Sequence, residues 1–191
     1  MGCNNSTDAN ENCQTNSPDV NNQNNPPPQP SKPQKLADLS PARWEMQALN
    51  SHNAFRAKHG VPPLVIDAGI TFTAQTYAKH LAKNKLFEHS SNRDNLGENL
   101  YTMSSSAPLT DQTFGTDATQ SWYDEIKSYD FNNPDFSMET GHFTQLIWKS
   151  SCSLGVGVGF SDDGKTVVVV AQYGPAGNMM GAFEENVPPP Q

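Results

Sequence analysis

Leu154-Gly155-Val156-Gly157-Val158-Gly159-Phe160 and Thr166-Val167-Val168-Val169-Val170-Ala171-Gln172-Tyr173, joined across Asp162-Asp163-Gly164-Lys165, read as two strands of a β-hairpin. Val167 to Val170 offers apolar side chains to both faces, so the second strand is expected at the centre of a sheet. Just upstream, Gly141-His142-Phe143-Thr144-Gln145-Leu146-Ile147-Trp148-Lys149-Ser150-Ser151 sets an imidazole beside a hydroxyl, an amide and the bulky Phe143 and Trp148. A titratable ring among aromatic groups is a costly way to build a core, so the cluster points to a site. Downstream, Gln172-Tyr173-Gly174-Pro175-Ala176-Gly177-Asn178 closes the second strand.

Helices precede the hairpin. Ser40-Pro41 reads as N-cap and first turn; Trp44, Ala48, Leu49 and Phe55 follow as apolar positions, and Gly60 with Pro62-Pro63 ends the element. Leu64-Val65-Ile66 is a short apolar run. Asp67 then caps a second helix, in which Ala74, Tyr77, Ala78, Leu81 and Ala82 recur at three- and four-residue spacing. Residues 88–97 and 104–115 read as loops around a short strand, Asn99 to Met103. A third helix is expected from Thr116 or Asp117, with Ala118, Trp122, Ile126 and Tyr129 on its buried face, and a short fourth over 142–148. Helices followed by a small antiparallel sheet predict an α+β layered domain.

Composition sets the limits. Residues 1–35 hold nine Asn and six Pro but no aromatic residue, so they read as a disordered tether that cannot bury enough apolar area to fold. All three Trp, five Tyr and nine Phe fall in residues 36–187, the expected globular domain, and Pro-rich residues 188–191 read as a stiff exposed end. A formal charge of −8 without any Lys/Arg run argues against nucleic acid as a partner. It argues equally against purely electrostatic attachment to anionic lipid. Only Cys152 lies inside the domain, which excludes a disulfide within it, and no segment has the length of a membrane span. Met1-Gly2-Cys3-Asn4-Asn5-Ser6 fits an N-myristoylation signal on Gly2, with Cys3 placed for palmitate. Gly2-Cys3 also suits the remnant of a bacterial lipoprotein cleavage site. Either reading predicts a lipid anchor.

Among five histidines, His59 and His80 are expected on solvated helix faces, and His52 and Asn53 are expected to lock their helix by hydrogen bonds. His89 and His142, with Glu98 and Glu125 in apolar or glycine-flanked contexts, remain as site candidates. Neutral imidazoles and carboxylates suit zinc. They suit a His/Glu pair for general acid–base work equally well. No local spacing such as His-x-x-x-His or Cys-x-x-Cys chooses between them, and structural hydrogen bonding is the default for both glutamates.

Gly141 to Ser151 and Val168 to Met179 resemble the two signature motifs of the CAP superfamily, which comprises cysteine-rich secretory proteins, antigen 5 and pathogenesis-related proteins. His52-Asn53-x-x-Arg56 and Gly97-Glu98-Asn99-Leu100 resemble two further motifs, in the family's order, over about residues 42–187. The resemblance implies a three-layer α-β-α sandwich with a cleft lined by His89, Glu98, Glu125 and His142. It makes His52, Asn53, Arg56, Asn99, Tyr173 and Asn178 structural motif residues. Lys58 to Leu64 and Phe183 to Val187 look like the Golgi-associated plant-pathogenesis-related type, which lacks the domain disulfides of secreted relatives. Ala171 stands where the second signature usually has Cys, so one family disulfide is impossible here. That type is N-myristoylated and binds acidic lipids, although the long Asn/Pro tail departs from its short N-terminus.

Three functions are expected from these readings. The first is a non-enzymatic module that binds membrane lipid (sterol, fatty acid or acidic phospholipid) and holds a zinc ion in its cleft. It would be membrane-associated through Gly2 or Cys3, on the endomembrane face or outside the cell; a secreted protein is the alternative. The second is a hydrolase using His89, Glu98 and His142; no Gly-x-Ser-x-Gly elbow supports it, and Ser104, Ser105 and Ser106 lie in a loop. The third is an interaction protein, including self-association through Cys152 or the acidic surface.

Overall fold

The computed structural model describes residues 41–110 and 113–191, with side chains from Arg43 onward. Gly2, Cys3, the 1–35 tether and the Ser40 cap lie outside the described residues. In chain order the elements are helix α1 (Pro41–Lys58), strand β1 (Val65–Ile66), helix α2 (Ala68–Asn84) and strand β2 (Gly97–Ser104). There follow helix α3 (Phe114–Tyr123), a 3-10 turn (Asp124–Ser128), helix α4 (Gly141–Ile147), strands β3 (Ser153–Phe160) and β4 (Thr166–Gly174), and the short helix α5 (Phe183–Asn186).

The sheet runs β1-β3-β4-β2, which puts the valine run at its centre as expected. β3 and β4 form the antiparallel hairpin, with Val158 opposite Val169, and β4 pairs antiparallel with β2, Val170 opposite Leu100. β1 pairs parallel with β3, so the sheet is mixed and not purely antiparallel. A two-residue strand carries no periodicity that could announce its direction. β2 begins at Gly97, two residues before the expected strand, because the ladder extends to the Gly97–Tyr173 pairing, which depends on residues distant in the chain.

Alternation along β4 builds two cores. Val167, Val169, Ala171 and Tyr173 face α1, α3 and α4, packing with Trp44, Trp122, Phe143 and Leu154. Val168 and Val170 face the other way, against Ala74, Ala78 and Leu81 of α2. Two helical layers therefore enclose the sheet, the α-β-α sandwich anticipated above. On β3 the valines face the larger core and the glycines face α2. A Cβ on Gly155, Gly157 or Gly159 would overlap the backbone of Ile70, of Gln75 or of Ala78. The glycines let α2 lie directly on the sheet.

Asp67 caps α2 by accepting from Ile70 N at 2.9 Å, as its place before the helix predicts. α3 starts at Phe114, earlier than Thr116, and ends at Tyr123, so Ile126 belongs to the 3-10 turn and Tyr129 lies just beyond it. Pro188 is half-buried and its carbonyl accepts from His59 Nδ1 at 2.7 Å, while Gln191 N donates to Lys58 O at 2.8 Å. Residues 189–191 are exposed as expected, and the end is also tied to α1 through Pro188 and Gln191.

Candidate functional site

β2 and the turn before it deliver the first half of the site. His89 Nδ1 lies 2.9 Å from Glu98 Oε1, which also accepts from Ser90 N at 2.9 Å. Glu98 Oε2 accepts from Gln172 Nε2 at 3.0 Å across the β2–β4 pairing. Burial works to raise the Glu98 pKa, but the bonds from His89, Gln172 and Ser90 outweigh it and hold this carboxyl below the usual glutamate range. The side chain of Glu98 is fully buried, whereas that of His89 is half exposed.

The second half is built where the 3-10 turn meets the start of α4. Glu125 Oε1 lies 2.7 Å from His142 Nδ1, and Oε2 accepts from the backbone N–H groups of His142 and Phe143 at 2.9 and 3.0 Å. The carboxylate satisfies two donors that the first turn of a helix leaves orphaned. Trp122 lies beside the imidazole, ring centroids 6.4 Å apart and 27° from parallel.

His89, Glu98 and His142 line one cleft of about 770 Å³, with Phe136, Met138 and Gly141 on its walls. Each imidazole gives its Nδ1 to a glutamate, and no residue among those described hydrogen-bonds to either Nε2. The tetrad is therefore two pairs. Among the described residues no group of three or more His, Cys, Asp or Glu is close enough to hold a metal ion. Both carboxylates are already occupied by hydrogen bonds, so an ion placed here would fall to Nε2 of His89 and His142. The glutamates would then stand behind the rings, fixing tautomer and orientation.

The motif residues form the frame. His52 donates to Ala48 O and meets the Tyr173 hydroxyl, each at 2.8 Å; that hydroxyl accepts from Asn99 Nδ2, which also donates to His142 O at 3.0 Å. Helix α1 is thereby connected to the backbone of the cleft histidine. Asn53 pairs with both backbone groups of Leu64. Arg56, fully buried, donates to the carbonyls of Pro62, Leu146, Trp148 and Ser151, collecting the chain that leaves α4. Asn178, at φ +58°, bridges Thr144 Oγ1 and Gly141 O and ties the loop after β4 to α4.

His59 corrects the expectation of a solvated face: it is fully buried, between Pro188 O and the Tyr123 hydroxyl. His80 is exposed as expected. Gln172, which sequence reasoning leaves without a role, is a direct partner of Glu98. Its signal was an amide at the end of an otherwise apolar strand. Ser104, Ser105 and Ser106 are exposed and none lines the cleft; Ser91 does, without a bond to either imidazole.

A profile of the CAP, or cysteine-rich secretory protein, family matches residues 49–173. The human Golgi-associated plant pathogenesis-related protein 1 is 44% identical over 153 residues, covering 78% of this chain and 95% of its own. The solved structure of BmVAL-1 superposes with a TM-score of 0.64 at 26% identity, covering 75% of this chain and 81% of its own. NaASP2, solved with Zn2+, gives a TM-score of 0.59 at 27% identity over 71% of this chain and 81% of its own.

Proposed function

The chain belongs to the cysteine-rich secretory protein (CAP) family, and from that premise we propose that it is a non-enzymatic binding module whose cleft holds a divalent metal ion and whose site of action is a membrane. The observation that carries the metal reading is the matched pair of imidazoles on one cleft, each oriented at Nδ1 by a buried or half-buried glutamate. The zinc in NaASP2 supports the choice of ion. Bound zinc would supply a Lewis-acidic centre for a polar ligand group. His89 and His142 would bind it, while Glu98 and Glu125 hold the rings and keep the proton at Nδ1.

Phe136 and Met138 line the cleft at 43% and 85% exposure, and the exposed Met179 and Met180 follow the lining residue Asn178 in the chain. They support contact with lipid at that rim. The Gly2 and Cys3 signals support attachment through the N-terminus.

Calorimetry with metal-stripped protein tests the cleft. Zinc uptake is expected in the parent chain and is expected to vanish in the double variant His89→Gln, His142→Gln. Uptake retained by that variant removes the assignment. A hydrolase is the second reading, favoured by the same His/Glu pairs as general bases for water. It is disfavoured by the lack of any Ser, Thr or Cys hydrogen-bonded to His89 or His142 among the described residues. Turnover of a chromogenic ester that His89→Gln abolishes would reverse the order of the two readings.

A further inference from the structure

On the face of the sheet that α2 covers, the His89–Glu98 pair has a neighbour that the His142–Glu125 pair lacks. Gln172, buried to all but 3%, donates from Nε2 to Glu98 and accepts at Oε1 from Thr73 Oγ1 at 2.6 Å, so both ends of its amide are fixed. Thr73 belongs to α2, which lies outside the cleft. Thr73 itself lines a pocket of about 350 Å³, together with Phe72, Tyr77, His80, Asn92 and Gln172. Asn92 lines the cleft as well, so the two spaces share a wall.

The chemistry of this second space is different. No carboxylate, ammonium or guanidinium group lines it. Phe72 stands at its mouth with 73% of its surface exposed, and the Tyr77 and His80 rings lie within 17° of parallel, centroids 6.1 Å apart. The two rings stack on each other and, with Phe72, give an aromatic wall against which a flat apolar guest can lie; the volume admits one or two fused rings. Tyr77 also donates to Glu88 O at 2.7 Å, the carbonyl immediately before His89. A guest against Tyr77 and Gln172 therefore touches both supports of the His89–Glu98 pair. Glu125, in contrast, is held by backbone N–H groups of α4 and has no such connection.

We propose that the α2-side pocket is a second binding compartment, which takes the uncharged aromatic end of a ligand whose polar end sits at the cleft imidazoles, and that Gln172 and Tyr77 transmit its occupancy to His89. For that polar end the proposal rests on the cleft being a binding site, as argued above.

The test uses full-length, zinc-free protein and N-phenyl-1-naphthylamine, a neutral planar probe that fluoresces on leaving water. Saturable binding is expected, weakened about tenfold or more in Phe72→Ala, a surface change that leaves both cores intact. Carbon–proton NMR of the imidazoles is expected to show His89 resonances moving on probe addition while those of His142 stay in place. Thr73→Val removes the hydrogen bond to Gln172 and is expected to shrink the His89 displacement even at saturating probe. Affinity unchanged in Phe72→Ala would overturn the pocket. His89 and His142 moving equally, or neither moving, would overturn the transmission. Zinc titration separates this from the metal reading, since probe binding without zinc uptake would sink only the metal, and zinc uptake without probe binding would sink only the pocket.

Discussion

His52 sits with Nδ1–H on the Ala48 carbonyl and Nε2 receiving the Tyr173 hydroxyl, so the folded protein is built around the neutral ring. Protonation would make Nε2 a donor and leave the hydroxyl proton of Tyr173 without its acceptor. Burial is the largest cause of a pKa lowered from 6.5 to about 4, with the Ala48 bond opposing it and the nearby Arg56 charge adding to it. His59 is lowered in the same direction, again by burial first. Because the folded-state values lie below the unfolded ones, the stabilisation is complete above pH 6.5 and is lost as pH falls from there toward 4. For His52 the loss is about 3 kcal/mol. The urea midpoint is expected to fall steeply over that interval, with the His52 ring titrating near 4; a His52 ring titrating near 6.5 would refute this. A second expectation concerns Glu98. Replacing it with Gln keeps the shape but removes the charge behind His89, and should weaken zinc about tenfold or more by calorimetry. His52 and Asn53 were legible as polar side chains that lock a helix, and Arg56 through the family motif it belongs to, although Tyr173, Leu146, Trp148 and Ser151 lie 90 or more residues away. The partners of His59, 129 and 64 residues away, left no such mark on its helix.

At the scale of elements, the three glycines of β3 show how little side chain is needed to place a helix. Leu154, Val156 and Val158 fill the core toward α1, while Gly155, Gly157 and Gly159 bring α2 onto the strand. Gln75 completes the contact by bonding both backbone groups of Val158. The alternation was visible in the sequence as a β-strand pattern, and the central place of β4 followed from its valines. The direction of β1, the start of α3 and the length of β2 were not visible, because each depends on pairing with distant residues. Gly157→Ala puts a methyl group against the backbone of Ala74 and Gln75, where no flexible side chain can yield. It is expected to destabilise the domain by roughly 1–3 kcal/mol, read as a lower Tm in a thermal melt. An unchanged Tm would mean that α2 can lift from the sheet without cost.

For the whole molecule, charge and anchoring pull in opposite directions. A formal charge of −8 gives the chain no long-range attraction to an anionic bilayer, and none of its described helices is long and apolar enough to cross one. The membrane residence proposed above would then have to come from acyl chains at Gly2 or Cys3, from the apolar rim of the cleft, or from both. A single myristoyl chain binds only marginally, with an association constant of about 10⁴ M⁻¹, so a second contact decides whether binding persists. Protein made with N-myristoyltransferase is expected to co-sediment with neutral phosphatidylcholine vesicles, and to do so less well as phosphatidylserine is added, because like charges repel. Gly2→Ala should release it to the supernatant. Met138→Ser with Met180→Ser, two exposed positions remote from both cores, should weaken the myristoylated protein's binding severalfold if the rim supplies the second contact. Retention of Gly2→Ala on vesicles would assign the contact to the domain itself. Indifference to the two Met changes would remove the rim from the account and leave lipidation alone to hold this acidic domain at a membrane.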